Sequence, residues 1–217
     1  MSAMFSYRFK QSLRFPLFLL VVIWLIHGLQ MISGGSLSAL GVLPGHKEGL
    51  KGILMAPLIH GSLSHLLSNT IPLFVLTLII SFFYRKVAYL AFGLIYLLSG
   101  AAVWMFAREV YHIGASGLVY GLLSFVFWSG VFRRNIKSIV LALIVTLLYS
   151  GYIWGVLPVK EGISWESHLF GGIVGIVIAY LLRGYLEMDE EPTVYPYEKE
   201  PTQDPDYFYD RDVFKRH

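Results

Sequence analysis

Long apolar stretches broken by short polar interruptions run through the chain as far as residue 186. A helical span needs about 18 or more apolar residues, because the hydrocarbon core is roughly 30 Å thick and a helix rises about 1.5 Å per residue. Six stretches meet that length, at 15–32, 57–84, 87–107, 115–132, 138–157 and 165–183. An open strand leaves backbone groups unsatisfied in lipid, so all six are expected to be helices. The pattern predicts an all-α membrane protein, a bundle of six transmembrane helices. The first stretch follows Arg8, Lys10 and Arg14, as a signal sequence would. Its apolar run is long and no A-x-A site comes after it, so it is taken as a span.

Composition sharpens the picture. The chain is 56% hydrophobic and 14% charged. Charge is divided unevenly: residues 1–186 hold 13 basic and 4 acidic groups, net +9, whereas residues 187–217 hold 4 basic and 10 acidic groups, net −6. The first 186 residues contain no aspartate, and Glu48, Glu109, Glu161 and Glu166 lie at the edges of apolar runs or between them. That excludes an aspartyl-type intramembrane protease and argues against a cation-coupled transporter, which keeps an acidic group at membrane depth. The absence of cysteine excludes a disulfide framework, a thiolate metal site and a cysteine nucleophile.

Basic residues cluster at alternate ends of the spans. One set of ends carries Arg8, Lys10, Arg14, Arg85, Lys86, Arg133, Arg134, Lys137 and Arg183, and the other carries only Lys47, Lys51, Arg108 and Lys160. By the positive-inside rule both termini are expected to face the cytoplasm, with the second, fourth and sixth spans starting at the outer side. The expected organisation is a cytoplasmic N-terminus at 1–14, a six-helix domain at 15–183 and a tail at 184–217. The tail places Pro192, Pro196, Pro201 and Pro205 among acidic residues and tyrosines, a composition expected to be disordered. Tyr195, Tyr197, Tyr207 and Tyr209 form either a partner motif or part of a solvating segment.

Polar residues gather near the outer ends of those three spans. The second opens with His60, Ser62, Ser64, His65, Ser68 and Asn69. His65 and Asn69 are four apart and share a helix face. His60 and His65 are five apart, about 140° around a helix, and are not expected to converge on a metal. Taken alone, His65 and Asn69 read as interhelical hydrogen-bond glue. The fourth span opens with Gly114-Ala115-Ser116-Gly117 followed by Tyr120 and Gly121, and the sixth places Gly171 and Gly175 on the His168 face. Each of these two spans thus sets a small-xxx-small stripe (Gly117 with Gly121, Gly171 with Gly175) beside one reactive side chain.

Glycine stripes let two helices approach backbone to backbone. Both start at the same depth, so Ser116 and His168 can meet. A histidine supplies the general base that a weak hydroxyl nucleophile needs, and returns the proton to the leaving amine. No acidic partner is evident, so the pair would be a dyad. Tyr120, four residues after Ser116, can stack on the imidazole. His65, Asn69 and the Ser116 N–H can donate hydrogen bonds to an oxyanion.

Those three motifs, in that order on alternate spans, resemble the rhomboid intramembrane serine proteases in their basic six-span form, over residues 15–183. The resemblance implies Ser116 as nucleophile, His168 as base and His65 with Asn69 as oxyanion donors. It also implies transmembrane protein substrates that enter laterally from the lipid bilayer between the second and fifth spans. One position departs from the family: Lys51-Gly52 stands where a Trp-Arg pair is usual. No metal, cofactor or nucleic-acid partner is expected, and the oligomeric state is left open. The expected location is the plasma membrane of a prokaryote, with the site towards the outer face. Two rival readings are a non-enzymatic relative that binds membrane clients and a small-solute channel or transporter. His27, His46 and His217 are expected to be incidental, and His112 to be a solvated loop residue or a substrate contact.

Overall fold

The computed structural model describes residues 2–158, 164–187 and 190. Among them lie seven α-helices: α1 (Ser2–Ile32), α2 (Gly52–Met55), α3 (Leu63–Phe83), α4 (Ala88–Phe106), α5 (Ser116–Arg133), α6 (Ile136–Tyr149) and α7 (Trp165–Leu181). Short 3-10 turns punctuate the loops, and the described residues form no strand longer than a single bridge.

Four of the helices, α1, α3, α4 and α5, are long and apolar enough to cross a membrane. The stretches expected as the fifth and sixth spans are helical and apolar but shorter, at 14 and 17 residues. Local chemistry sets those lengths. Asn135 caps α6 by accepting the Ser138 N–H at 2.9 Å, and the chain tightens into a 3-10 turn at Ser150–Val156, where Gly151 and Gly155 fall. Hydropathy does not register the second boundary, since the expected span runs on to residue 157. The first span is longer than its apolar pattern suggests: α1 runs back to Ser2, so residues 2–14 are its opening turns.

α5 lies at the centre, against α7, α6, α3 and α4, while α1 packs on α3. Leu66, Leu76 and Ile80 of α3, Ile95 of α4, Leu122 and Phe125 of α5 and Ile178 of α7 form the fully buried core. Large apolar residues cover the perimeter: Ile32, Ile71, Leu147 and Leu148 are all exposed. Such a surface suits lipid, where apolar side chains need no burial and close van der Waals fit decides which helices meet. The chain is an integral membrane protein.

The loop between α1 and α3 folds over one end of the bundle. A Cβ on Gly49 would stand 2.0 Å from the Leu43 carbonyl oxygen, and one on Gly52 would stand 2.2 Å from that of Gly41. Backbone thus packs directly on backbone at the Lys51-Gly52 position. The Trp104 indole donates to the His46 carbonyl at 2.9 Å and fastens the loop to α4.

At the opposite end, Glu190 turns back into the protein. Its carboxylate meets Arg133 at 2.7 Å, Ser138 Oγ at 3.0 Å and Asn135 Nδ2 at 3.2 Å. The Arg133 guanidinium in turn lies 4.7 Å from the Tyr84 ring centre. The start of the segment expected as a disordered tail is therefore anchored by a buried ion pair. The remainder of that tail, with its tyrosines and His217, lies outside the described residues.

Candidate active site

Ser116 is the first residue of α5, where helix geometry leaves backbone N–H groups without intrahelical partners. The turn before it depends on Gly114, which has φ 109°, a conformation that L side chains avoid. A Cβ there would also fall 2.5 Å from the His65 ring. The Gly114 N–H donates to the Ala56 carbonyl at 2.8 Å, and the Ala115 N–H donates to His60 Nε2 at 3.4 Å.

α3 begins at Leu63 rather than at residue 57, with Ser62 accepting the His65 N–H at 3.2 Å. His60 therefore precedes the helix, and its angle around a helix does not apply. The His60 and His65 rings do converge, with centroids 5.1 Å apart in an edge-to-face pair. His27, expected to be incidental, is buried, and its Nδ1 donates to the His60 carbonyl at 3.2 Å. Among the described residues no group of three or more histidine or acidic side chains is placed to hold a metal ion. Asn69 is buried one turn below His65 and uses one amide N–H on the His65 carbonyl at 3.0 Å, leaving the other available.

His168 sits in the first turn of α7, which Ser164 caps by accepting the Ser167 N–H at 3.4 Å. Its Nδ1 lies 2.7 Å from the Gly155 carbonyl oxygen. A carbonyl only accepts, so Nδ1 carries the proton and Nε2 is left as the basic nitrogen. The Tyr120 ring stacks on the imidazole at 4.2 Å with 8° between planes, and its hydroxyl donates to the Tyr152 carbonyl at 2.7 Å. One 3-10 turn, Ser150–Val156, thus supplies both carbonyls. Gly155 is needed there because a Cβ would stand 1.8 Å from the Tyr120 hydroxyl. Neither Gly155 nor Tyr152 has a side-chain signature in the sequence. The sole hint is the presence of two glycines, Gly151 and Gly155, inside the expected fifth span.

Between α5 and α7 the glycines interlock. A Cβ on Gly171 would lie 2.0 Å from the Gly117 carbonyl oxygen, and one on Gly175 would lie 2.2 Å from that of Gly121. On the other side, a Cβ on Gly117 would meet the Ser167 carbonyl at 3.0 Å, and one on Gly121 would meet Ile95 at 2.3 Å. Ser124 Oγ adds a hydrogen bond to the Gly172 carbonyl at 2.8 Å. Ser116, His168, Tyr120, His65 and Asn69 all line one cavity of about 830 Å³, together with Arg108, Tyr111, His112 and Ser164.

The loop 107–115 departs from expectation. His112 is buried at 3% exposure, not solvated. Its Nε2 lies 3.0 Å from the Arg108 carbonyl and its Nδ1 lies 2.5 Å from Ser164 Oγ. Burial lowers its pKa, and the Arg108 charge adds to this against the opposing pull of the Arg108 carbonyl and Glu166. Glu166 is itself buried and pairs with Arg108 at 2.9 Å. His46, expected to be incidental, contacts the Glu109 carboxylate at 2.6 Å.

Comparison with known proteins agrees with this architecture. An uncharacterised protein of Mycobacterium tuberculosis is 36% identical over 170 residues, which cover 74% of this chain and 71% of that protein. An uncharacterised protein of Mycobacterium leprae is 33% identical over 172 residues, 75% of this chain and 68% of that protein. More distantly, the RHOMBOID-like protein 4 of Arabidopsis thaliana is 28% identical over 134 residues, 57% of this chain and 32% of that protein. The Rhomboid domain matches residues 47–185, most of the described structure. The chain belongs to the rhomboid family, a family of intramembrane proteases that also includes inactive members.

Proposed function

We propose that this chain is a serine endopeptidase that cuts transmembrane segments within the bilayer, using Ser116 as nucleophile and His168 as general base. The observation that carries the reading is the Nδ1–H bond of His168 to the Gly155 carbonyl at 2.7 Å, in the cavity that Ser116 also lines. That bond fixes the tautomer with Nε2 bare, the part an aspartate plays in a triad. A neutral carbonyl orients the ring without adding a charge, and the Tyr120 stack holds the plane.

The reaction then runs in two stages. Nε2 takes the Ser116 proton as Oγ bonds to the scissile carbonyl carbon, and the negative charge moves to the carbonyl oxygen. Collapse breaks the C–N bond, the leaving amine receives the proton from Nε2, and water hydrolyses the acyl-enzyme by the same route. The free N–H of Asn69, the His65 ring and the Ser116 N–H are the donors for the oxyanion. Asn69→Ala is expected to lower turnover about 10²-fold, with less effect on substrate binding. Steady-state kinetics on Asn69→Ala and on the His65→Ala, Asn69→Ala double mutant check this, and unchanged turnover in the double mutant assigns the pair to helix packing.

The proposal includes six spans, α1 and α3 to α7, in a prokaryotic plasma membrane with both termini cytoplasmic and the site towards the outer face. The charge count along the loops supports that orientation. A substrate helix hides each carbonyl in its own i to i−4 hydrogen bond, so cleavage requires local unwinding. Unwinding is cheapest at glycine, proline or β-branched positions, and close approach of the catalytic groups favours small residues beside the scissile bond. The test is mass spectrometry of products from a single-span substrate, alongside fluorophosphonate labelling of the purified protein. Labelling at Ser116 and cleavage near the outer boundary, slowed in a Gly/Pro→Leu substrate, are the expected results. No cleavage and no label would favour a client-binding protein. Cleavage near the cytoplasmic end would overturn the orientation, and equal rates for the two substrates would overturn the unwinding requirement.

A further inference from the structure

The segment that delivers Ser116 is held from several sides. The His112 N–H and carbonyl pair with Val42 at 2.8 and 3.0 Å, while Gly114 and Ala115 are tied to Ala56 and His60 through their N–H groups. These are backbone ties to the region before α3. The His112 side chain makes a different connection, across to α7.

Donor and acceptor roles along that connection follow from chemistry. The Arg108 carbonyl can only accept, so His112 Nε2 donates to it across 3.0 Å. In the neutral ring Nδ1 is then an acceptor, and the Ser164 hydroxyl donates into it across 2.5 Å. The Ser164 oxygen still accepts the Ser167 N–H at 3.4 Å as the α7 cap, and Ser167 Oγ lies 2.6 Å away with its proton free to point at it. His168 follows Ser167 directly in the chain. One imidazole therefore joins the loop that leads to Ser116, four residues on, to the first turn of the helix that carries His168.

We infer that His112 is a positioning residue for the Ser116–His168 pair, setting their separation by bridging the loop before α5 to the cap of α7. The inference rests on the catalytic reading of Ser116 and His168 given above. A substrate contact is the competing role, since His112 lines the same cavity. Both ring nitrogens are already committed inside the protein, so neither is available to a substrate. The charged groups acting on the ring are Arg108 and the buried Glu166, and His65 and His168 line the same cavity. Burial, the largest influence, keeps His112 in the neutral form that the chain of hydrogen bonds requires.

The glycine interlock fixes how closely α5 and α7 approach along their length. At the Ser116 end the Arg108–Glu166 ion pair at 2.9 Å joins the loop before α5 to the first turn of α7, and the His112–Ser164 bridge is a second tie between the same two segments. A shift of about 1 Å between reacting groups costs on the order of 10²-fold in rate.

The experiment measures kcat and KM on a single-span substrate with the full-length purified chain. His112→Ala, His112→Gln, Ser164→Ala and the His112→Ala, Ser164→Ala double mutant are compared with wild type, each with a melting curve. The expected result is a loss in kcat of about 10- to 100-fold in both single alanine variants, with KM within about twofold. The double mutant should be no slower than His112→Ala, and His112→Gln, which keeps a donor and an acceptor, should recover part of the rate. A raised KM with unchanged kcat would make His112 a substrate contact and overturn the inference, as would full kcat in folded Ser164→Ala. If His112→Ala does not fold, Ser164→Ala, which removes a single hydroxyl, decides the matter. Wild-type protein that neither cleaves nor takes a fluorophosphonate at Ser116 would overturn the catalytic reading itself, a failure distinct from equal rates in active wild type and variants.

Discussion

Ser116→Ala and His168→Ala are each expected to reduce cleavage of a single-span substrate to background, a loss on the order of 10⁶-fold where nucleophile and base act as a unit. Removing the hydroxyl removes the atom that attacks. Removing the imidazole leaves a hydroxyl that stays protonated near neutral pH, with nothing to return a proton to the leaving amine. Because either loss disables the same step, the double mutant is expected to be no slower than the single ones. Stability should change little, since Ser116→Ala removes one hydroxyl at a partly exposed position and His168 spends its side-chain hydrogen bond on one carbonyl. Fluorophosphonate labelling separates the two variants: Ser116→Ala should lose the adduct entirely, and His168→Ala should label far more slowly with the site intact. Substantial cleavage by Ser116→Ala would end the serine-protease reading.

Much of this site is written as side chains at a spacing. Ser116 among glycines, His168 with glycines three and seven residues on, and His65 four before Asn69 are visible in the sequence, and all four polar residues line one cavity in the structure. What the sequence leaves out is backbone. The acceptor for His168 is the Gly155 carbonyl and the acceptor for Tyr120 is the Tyr152 carbonyl, and a carbonyl has no residue type to betray it. Helix boundaries are the second blind spot. Counting from residue 57 sets His60 and His65 apart, whereas starting at Leu63 frees His60 to fold against His65 and to accept the Ala115 N–H. Burial is the third. His112 looks like a solvated loop histidine until Val42 and Ser164, distant in sequence, close over it. The same limit applies to span length, where hydropathy runs through the Ser150–Val156 turn without registering it.

The contact between α5 and α7 carries the second large effect. Gly171→Ala adds a single carbon, yet that carbon would lie 2.0 Å from the Gly117 carbonyl oxygen, part of a helix backbone that cannot rotate aside as a side chain can. One turn on, the Gly175 position is equally tight against the Gly121 carbonyl at 2.2 Å, so α7 cannot pivot about Gly175 to relieve the clash. The remaining response is for α7 to move away from α5 by about 1 Å, which at a reacting pair costs on the order of 10²-fold in rate. Gly172→Ala is the matched control. It sits on the same helix, a Cβ there meets nothing within 4 Å, and its carbonyl can still accept from Ser124. Gly172→Ala should therefore keep wild-type turnover, or gain slight stability from the better helix former, while Gly171→Ala loses turnover with His168 still in place. Cleavage kinetics and melting curves on the two variants check this. Equal activity in both would mean that the two helices stand farther apart in the membrane than the glycine interlock requires.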